Sequence, residues 1–326
     1  IPAIIELAIK KRLFDDPTEV RKIHKRIIPN FGGIAIFTAF LFSCALFIPS
    51  LLLPQANILI ASGLILFMVG LKDDMIGLSP LSKFAAQFTS AIIITVAADL
   101  RITQLYGLMG IDQLNYYVSV LVTVIFIVGV INAYNLIDGI DGLAASLGVM
   151  ASLFYTVVFF HYGEIGWAYL SISLTGALIG FLFYNLTPAK IFMGDSGSLV
   201  LGFVVVILSV RFVNVADANT LALGPISITS PLALILAVII IPVFDTLRVF
   251  TLRILSGNSP FKADCNHLHH RFLSLGLSHI QTTLVLVVVN TAFIALAILL
   301  QNLGNWELIS VLVAGMLMMN GLLSIY

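Results

Sequence analysis

The sequence predicts an all-α fold, a polytopic transmembrane helix bundle of about ten or eleven spans. Three observations predict it. The 326 residues are 60% hydrophobic and only 10% charged, whereas a soluble domain carries about 25% charge. Apolar runs approaching or exceeding ~18 residues recur along the whole length, and such runs cross a ~30 Å hydrocarbon layer as helices. The alternating ~10-residue segments of a β-barrel are absent.

Taken in order, the apolar runs open with Ile1–Ile9, which starts without a Met and reads as a truncated first span. The others lie at about 31–53, 57–71, 84–98, 116–131, 143–161, 166–185, 197–213, 230–249, 280–300 and 306–326. No cleavable signal peptide, low-complexity linker, internal repeat or second domain stands out. Residues 1–326 therefore read as one integral-membrane domain. Cys44 falls in a span and Cys265 in a polar loop, so no disulfide is expected between them. Sixteen basic and sixteen acidic residues give zero formal charge, which offers no reason to expect a nucleic-acid partner.

Each crossing switches sides, which sorts the loops into two sets. All Lys and Arg except Arg101 and Arg211 fall in or beside the set 10–30, 72–83, 132–142, 186–196 and 250–279. The positive-inside rule assigns that set to the cytoplasm of a plasma (inner) membrane protein. The unusual polar stretches share that side: "LKDDMIGLSPLSK", "NAYNLIDGIDG", "IFMGDSGSL" and "NHLHHRF". A bundle can gather four such loops at one end. The opposite loops hold Asp99, Asp112, Glu164 and Asp217 without clustering.

Each cluster has a bland reading beside a chemical one. Asp73 and Asp74 repel one another near lipid unless a cation or a proton donor sits beside them. Lys72 and Lys83 offer harmless pairing; a general base with a structural or metal-orienting partner is the alternative. Gly77 and Pro80 mark a turn, and Lys83 would open the next helix. Asn132, Asn135 and Asp138 are spaced by three and share one helical face. Helix caps explain one or two of them, and a site for a hard cation such as Mg²⁺ explains all, with Asp141 close behind. Asp195, between Gly194 and Ser196, is either an N-cap or a metal ligand bridging phosphates. His267, His269, His270 and Arg271 suit phosphate oxygens. A headgroup-facing basic patch is the bland rival, and zinc fits the spacing poorly. The basic loop "KKRLFDDPTEVRKIHKRIIPNFGG" is a topology signal that would also draw anions. Gly32 and Gly33 would let backbones approach closely. Together these residues suggest phosphate chemistry at a membrane surface, on a substrate part lipid and part water-soluble.

On the motifs "DDMIGLSPLSK", "NAYNLIDGIDGLA", "FMGDSGSL" and "HLHHRF", in that order, the sequence resembles the polyprenyl-phosphate N-acetylhexosamine-1-phosphate transferases (glycosyltransferase family 4). The loop "RKIHKRIIPNFGG" is similar too, so the resemblance covers nearly the whole chain. It implies a reaction between UDP-N-acetylhexosamine and polyprenyl phosphate, giving a polyprenyl-diphosphate sugar and UMP, with Mg²⁺ or Mn²⁺. It implies Asp73 as base or orienter of the lipid phosphate with Asp74 beside it, and Asp195 as metal ligand joined by Asn135. Asn132, Asp138 and Asp141 would shape the nucleotide and metal site. His267, His269, His270 and Arg271 would hold diphosphate oxygens with help from Lys83.

Arginine after the paired histidines sets the last motif apart from the branch using UDP-N-acetylmuramoyl-pentapeptide, which tends to have three histidines. The resemblance therefore implies UDP-N-acetylglucosamine as donor and undecaprenyl phosphate as acceptor. That is the first membrane step of a surface-polysaccharide pathway such as O-antigen, enterobacterial common antigen or teichoic acid linkage. Membrane lipids are expected neighbours, with a homodimer as the assembly to test. Two rivals remain. An intramembrane aromatic prenyltransferase needs a second Asp-rich motif that "KDDMIGLS" matches poorly. A nucleotide-sugar transporter would place its polar residues near the bilayer midplane, whereas here they gather at one face; Asp245, near a span end, is the intramembrane charge that stands out, and with Arg248 at i, i+3 it reads as an ion pair or a functional group.

Overall fold

The computed structural model describes residues 1–11, 28–218, 222–223, 226–259 and 266–324. Each of the eleven apolar runs holds a helix: α1 (Pro2–Lys11), α2 (Gly32–Phe47), α3 (Ala56–Ile76), α4 (Pro80–Ala97), α5 (Tyr116–Ile137), α6 (Leu143–His161), α7 (Ile165–Asn185), α8 (Gly194–Ala218), the pair α9 (Pro231–Val238) and α10 (Ile240–Leu255), α12 (His279–Leu299) and α13 (Asn305–Leu322). A short α11 (Leu268–Ser274) stands in the last polar loop. Among the described residues, seven helices are long and apolar enough to cross a membrane, and the bent pair α9–α10 makes an eighth if it counts as one span. The chain is a multi-pass helical membrane protein. Its β-structure among the described residues is one two-residue antiparallel pairing, β1 (Ala222–Leu223) with β2 (Ile226–Ser227), and an isolated bridge from Gln104 to Gln113.

The core is built around α8, whose sequence is apolar all round and whose span is 83% buried, as expected of a central helix. It packs against α2, α3, α5, α6 and α9. Small residues let backbones meet, as is usual where lipid removes the hydrophobic drive between helices. A Cβ on Gly70 of α3 would lie 2.6 Å from the Ser196 Cα, and one on Gly33 of α2 would lie 2.2 Å from the Gly197 nitrogen. The expected close approach at Gly33 is therefore present. Buried hydroxyls return to the i−4 carbonyl, as Thr123 does to Ser119 and Thr156 to Ser152. Others pair across helices: the Tyr155 hydroxyl lies 2.7 Å from Ser209. Lipid offers these groups no water.

One run does not stay straight. The 230–249 run breaks after Val238, and α10 leaves α9 at 80°. Pro242 has no N–H to bond the carbonyl of Val238, which favours a kink. The Asn290 amide of α12 donates to the carbonyls of Ala237 at 2.9 Å and Val238 at 3.2 Å, and its oxygen accepts from the Ile241 amide. One buried side chain thus restores the backbone bonds that the break removes.

Helices alternate in direction, so one end collects the starts of α2, α4, α6, α8 and α12 and the ends of α3, α5, α7, α10 and α13. The polar stretches lie at that end. At the opposite end Glu164 accepts from Arg211 at 2.6 Å and Asp99 from Arg101 at 2.8 Å.

Candidate active site at one end of the bundle

Several of the helices run further than the apolar runs did. α3 continues through Lys72, Asp73 and Asp74 until Gly77, whose φ of +69° suits glycine and ends the helix. α5 continues through Asn132 and Asn135 to Ile137. α8 begins at Gly194, so Asp195 lies in its first turn. The site's polar side chains therefore stand on helical backbone.

Lys83 is the centre of the first cluster. Ser79 caps α4, accepting from the Ser82 amide, and Pro80 follows it. This fixes the first turn, from which the Lys83 Nζ donates to Asp73 at 3.1 Å and to Asp195 at 2.8 Å. Asp73 also accepts from the Leu78 amide at 2.6 Å. Asn135 donates to the other Asp195 oxygen at 3.0 Å and to the Ser198 hydroxyl at 2.9 Å. The side chains of Lys83, Asp73 and Asp195 remain 25%, 16% and 23% exposed, so a substrate can reach them. Two carboxylates from different helices share one cation here, and a shared cation offsets their repulsion.

Asp74 points elsewhere. It accepts from the Asp195 amide at 2.7 Å, the Ser196 amide at 3.0 Å and the Ser196 hydroxyl at 2.6 Å. A carboxylate there satisfies orphan amides and complements the helix dipole. The capping alternative for Asp195 thus gives way: Asp74 of α3 serves that end, which frees the Asp195 carboxylate for Lys83 and Asn135. Asn30 donates to the Asp74 carbonyl, and Gly32 and Gly33 donate to the carbonyls of Phe192 and Met193, binding the start of α2 to the same junction.

The second cluster is held by Asp245. It accepts from His267 Nδ1 at 2.8 Å, from the Leu268 amide at 2.9 Å and from Arg248 at 3.1 Å. The bend between α9 and α10 therefore delivers a buried carboxylate to the start of α11. His269 stacks on His267 with ring centroids 5.6 Å apart and lies 4.3 Å from the His270 ring. It is buried, and burial, followed by the neighbouring His270, pushes its imidazole down to about 3. It is therefore a neutral donor or acceptor. Its Nε2 is seated on Gly139, where a Cβ would lie 2.3 Å away, and its buried Nδ1 has no hydrogen-bond partner.

Asp138, the C-cap of α5, links the two clusters. It lies three residues after Asn135 and next to Gly139. Burial, with the charges of Asp195, Asp74 and Asp141, pushes its carboxyl up to about 7.

Other expected residues lie further out. Asn132 exchanges hydrogen bonds with Gln87 of α4, its Nδ2 donating at 2.6 Å. Asp141 is buried beneath the site, accepting from the Ala189 amide and lying 3.3 Å from His279. Asn185 ties the same loops together, accepting from the Gly142 amide and donating to the Ile191 carbonyl. Arg271 turns toward α13, donating to Asn320 and to the Ser324 hydroxyl, and is not gathered with the carboxylates. The basic residues 12–27, Lys262 and Cys265 lie outside the described residues, while Cys44 is a buried free thiol. Sequence reasoning passed over Gln87, Asn185, Ser198 and Asn290. It weighed Asp245 mainly as an ion pair, though a carboxylate inside an apolar run is itself a signal.

Among the described residues no three His, Cys, Asp or Glu side chains converge on a metal position. Asp195, partly exposed and hydrogen-bonded by Asn135, offers the kind of carboxylate oxygen that Mg²⁺ takes while completing its shell with water and phosphate.

Comparisons with known proteins place the chain in a family. Residues 56–213 match the model of glycosyl transferase family 4. A Bacillus subtilis protein described as a probable undecaprenyl-phosphate N-acetylglucosaminyl 1-phosphate transferase is 33% identical, covering 94% of this chain and 82% of its own. A Mycolicibacterium smegmatis decaprenyl-phosphate N-acetylglucosaminephosphotransferase is 35% identical, covering 86% and 73%. An Escherichia coli O157:H7 undecaprenyl-phosphate alpha-N-acetylglucosaminyl 1-phosphate transferase is 26% identical, covering 89% and 77%. The family match runs from α3 into α8 and takes in Asp73, Lys83, Asn135 and Asp195. With relatives a third identical over most of its length, the chain belongs to glycosyl transferase family 4.

Proposed function

We propose that this chain transfers N-acetylglucosamine 1-phosphate from UDP-N-acetylglucosamine to undecaprenyl phosphate, as one membrane domain whose site faces the cytoplasm of the inner membrane. The observation that carries the reading is the Lys83 ammonium bridging Asp73 and Asp195 at the end of a transmembrane bundle. There a lipid-borne phosphate and a soluble diphosphate can meet. The names of the relatives support the donor and the acceptor, and the distribution of Lys and Arg supports the sidedness.

A phosphate oxygen of the lipid attacks the β-phosphorus of the UDP-sugar. The bond from that phosphorus to the bridging oxygen breaks, and UMP leaves with the oxygen. Asp73, held by Leu78 and Lys83, orients the lipid phosphate, which is already ionised near neutral pH. Asp195 would hold Mg²⁺ with Asn135 beside it, Mn²⁺ being able to substitute, and the bound ion would supply neutralisation of the diphosphate charge. Lys83 turns from the carboxylates to diphosphate oxygens as these arrive. Asp138, Asp141 and Asn132 frame the nucleotide side. His269, neutral, stacked on His267 and beside the tilted ring of His270, directs a hydrogen bond at the diphosphate, and Arg271 adds charge from the rim.

A turnover assay in detergent tests this. Purified protein, undecaprenyl phosphate, Mg²⁺ and radiolabelled UDP-N-acetylglucosamine should give lipid-linked label and UMP, and Asp195→Asn should give far less. Product only from another UDP-sugar would move the donor. Binding of UDP-sugars without any product would favour the transporter reading.

A further inference from the structure

A cavity of about 140 Å³ lies between α2, α3, α7 and α8, and the transfer chemistry does not use it. Its wall includes Phe40, Cys44, Leu59, Gly63, Phe203 and Ile207. Of all its lining residues only Cys44 and Ser50 carry a polar side-chain atom. Apolar cavities of about 150 Å³ stay dry and take up benzene, so this one accommodates about six carbons of hydrocarbon chain. Val200 and Ile207 line it on α8, five and twelve residues after Asp195, which places the cavity about 7 to 18 Å along the axis from the site. That depth lies within the hydrocarbon layer.

The entrance and the floor identify the occupant. Ala45, Ile48 and Ile60 line the cavity and reach the outer surface of the bundle, and exposed Ser50 lines it in the connection between α2 and α3. That connection is at the end opposite the site. Toward the site the gap is closed by Phe37 of α2 stacked on Phe67 of α3 at 4.4 Å, by buried Leu66, and then by Gly33 and Gly70 packed on Ser196 and Gly197. A chain anchored by a phosphate at Lys83 has no internal route to it. A chain anchored in the opposite leaflet enters directly.

We infer that this cavity is a binding site for one acyl tail of a phospholipid from the leaflet opposite the site, held as a wedge between α2 and α3. The inference does not depend on the identity of the sugar donor.

Extraction and mass spectrometry of protein purified in mild detergent should find a stoichiometric phospholipid on the wild type. Cys44→Phe and Ala56→Phe fill the cavity from α2 and from α3. Each should retain at least about tenfold less phospholipid while keeping transferase turnover, which shows that it folds. Excess undecaprenyl phosphate should leave the bound phospholipid in place. Wild type without phospholipid, filled variants that retain it, or displacement by undecaprenyl phosphate would each overturn the inference. If both variants fail to fold, delipidated wild type decides. Its unfolding midpoint should rise with a two-tailed phospholipid and not with the glycerophosphate headgroup; no difference between them would overturn the inference.

Discussion

Asp74 spends both oxygens on the first turn of α8, whereas its neighbour Asp73 turns to the Leu78 amide, Lys83 and the Asp195 carboxyl. The pair therefore divides into a positioning residue and a residue facing the substrate. Asp74→Asn should lower stability by ~1–3 kcal/mol, because charged hydrogen bonds to a helix start are lost. Asp73→Asn should leave the unfolding midpoint nearly unchanged and lower turnover. Asp195→Asn should cost about 10²–10³-fold in kcat, the scale for removing one group that stabilises transition-state charge. Thermal unfolding and turnover measured on the same three proteins separate these roles. Asp138 gives a prediction in pH. Its carboxyl titrates at about 7 when folded and near 3.8 when unfolded. Between those values the folded chain binds more protons, so stability falls as pH rises through the window and levels off above it. Burial pushes the Asp74 carboxyl up to about 7 as well, so unfolding midpoints in EDTA should show that slope from about pH 5 to pH 7 in wild type and a shallower one in Asp138→Asn. His269, pushed down to about 3, stays uncharged throughout and should add no second slope there.

At the scale of elements, the sequence made the helices plain and left their ends obscure. Apolar runs report where lipid is, but a helix continues until a breaker stops it. Hydropathy could not carry α3 past Leu71 to Asp74, or α5 past Ile131 to Asn135. Gly77 and the Gly139–Gly142 segment are the true stops. The four motifs were legible because their residue types are out of place in a greasy chain. Their partners were not, because Gln87, Asn185 and Ser198 are ordinary residues whose meaning is a neighbour far away in sequence. The bend of α9–α10 belongs to the same class: Pro242 hints at it, while Asn290, which makes it affordable, lies on another helix. Asn290→Leu should destabilise the chain by ~1–3 kcal/mol through unpaired carbonyls and also lower turnover, since α10 carries Asp245. Gly139→Ala should act more locally. The new methyl meets His269 Nε2, so turnover should drop while the unfolding midpoint moves less than in Asn290→Leu.

Across the whole molecule, chemistry and charge sit at one end and simple ion pairs at the other. Arg211 follows Asp195 by sixteen residues of α8, or about 24 Å of axis. Orientation then becomes measurable. Met109, exposed in the connection between α4 and α5, and Leu255, exposed at the end of α10, lie at opposite ends. In a cysteine-free background, an impermeant thiol reagent on intact cells should label Met109→Cys and spare Leu255→Cys; the reverse pattern would turn the molecule over. The order of the chain adds a last point. The amide that braces the α9–α10 bend comes from α12, and the groups that hold Arg271 of α11 come from α13. A ribosome making this protein has therefore released α3, α4, α5 and α8, with all their carboxylates, long before the residues that aim the histidines exist. A nascent chain paused before Asn290 would carry its acidic half-site fully made and its imidazoles unplaced. Competence thus waits for α12 and α13 to enter the bilayer, and a product cut short before them should be born inactive.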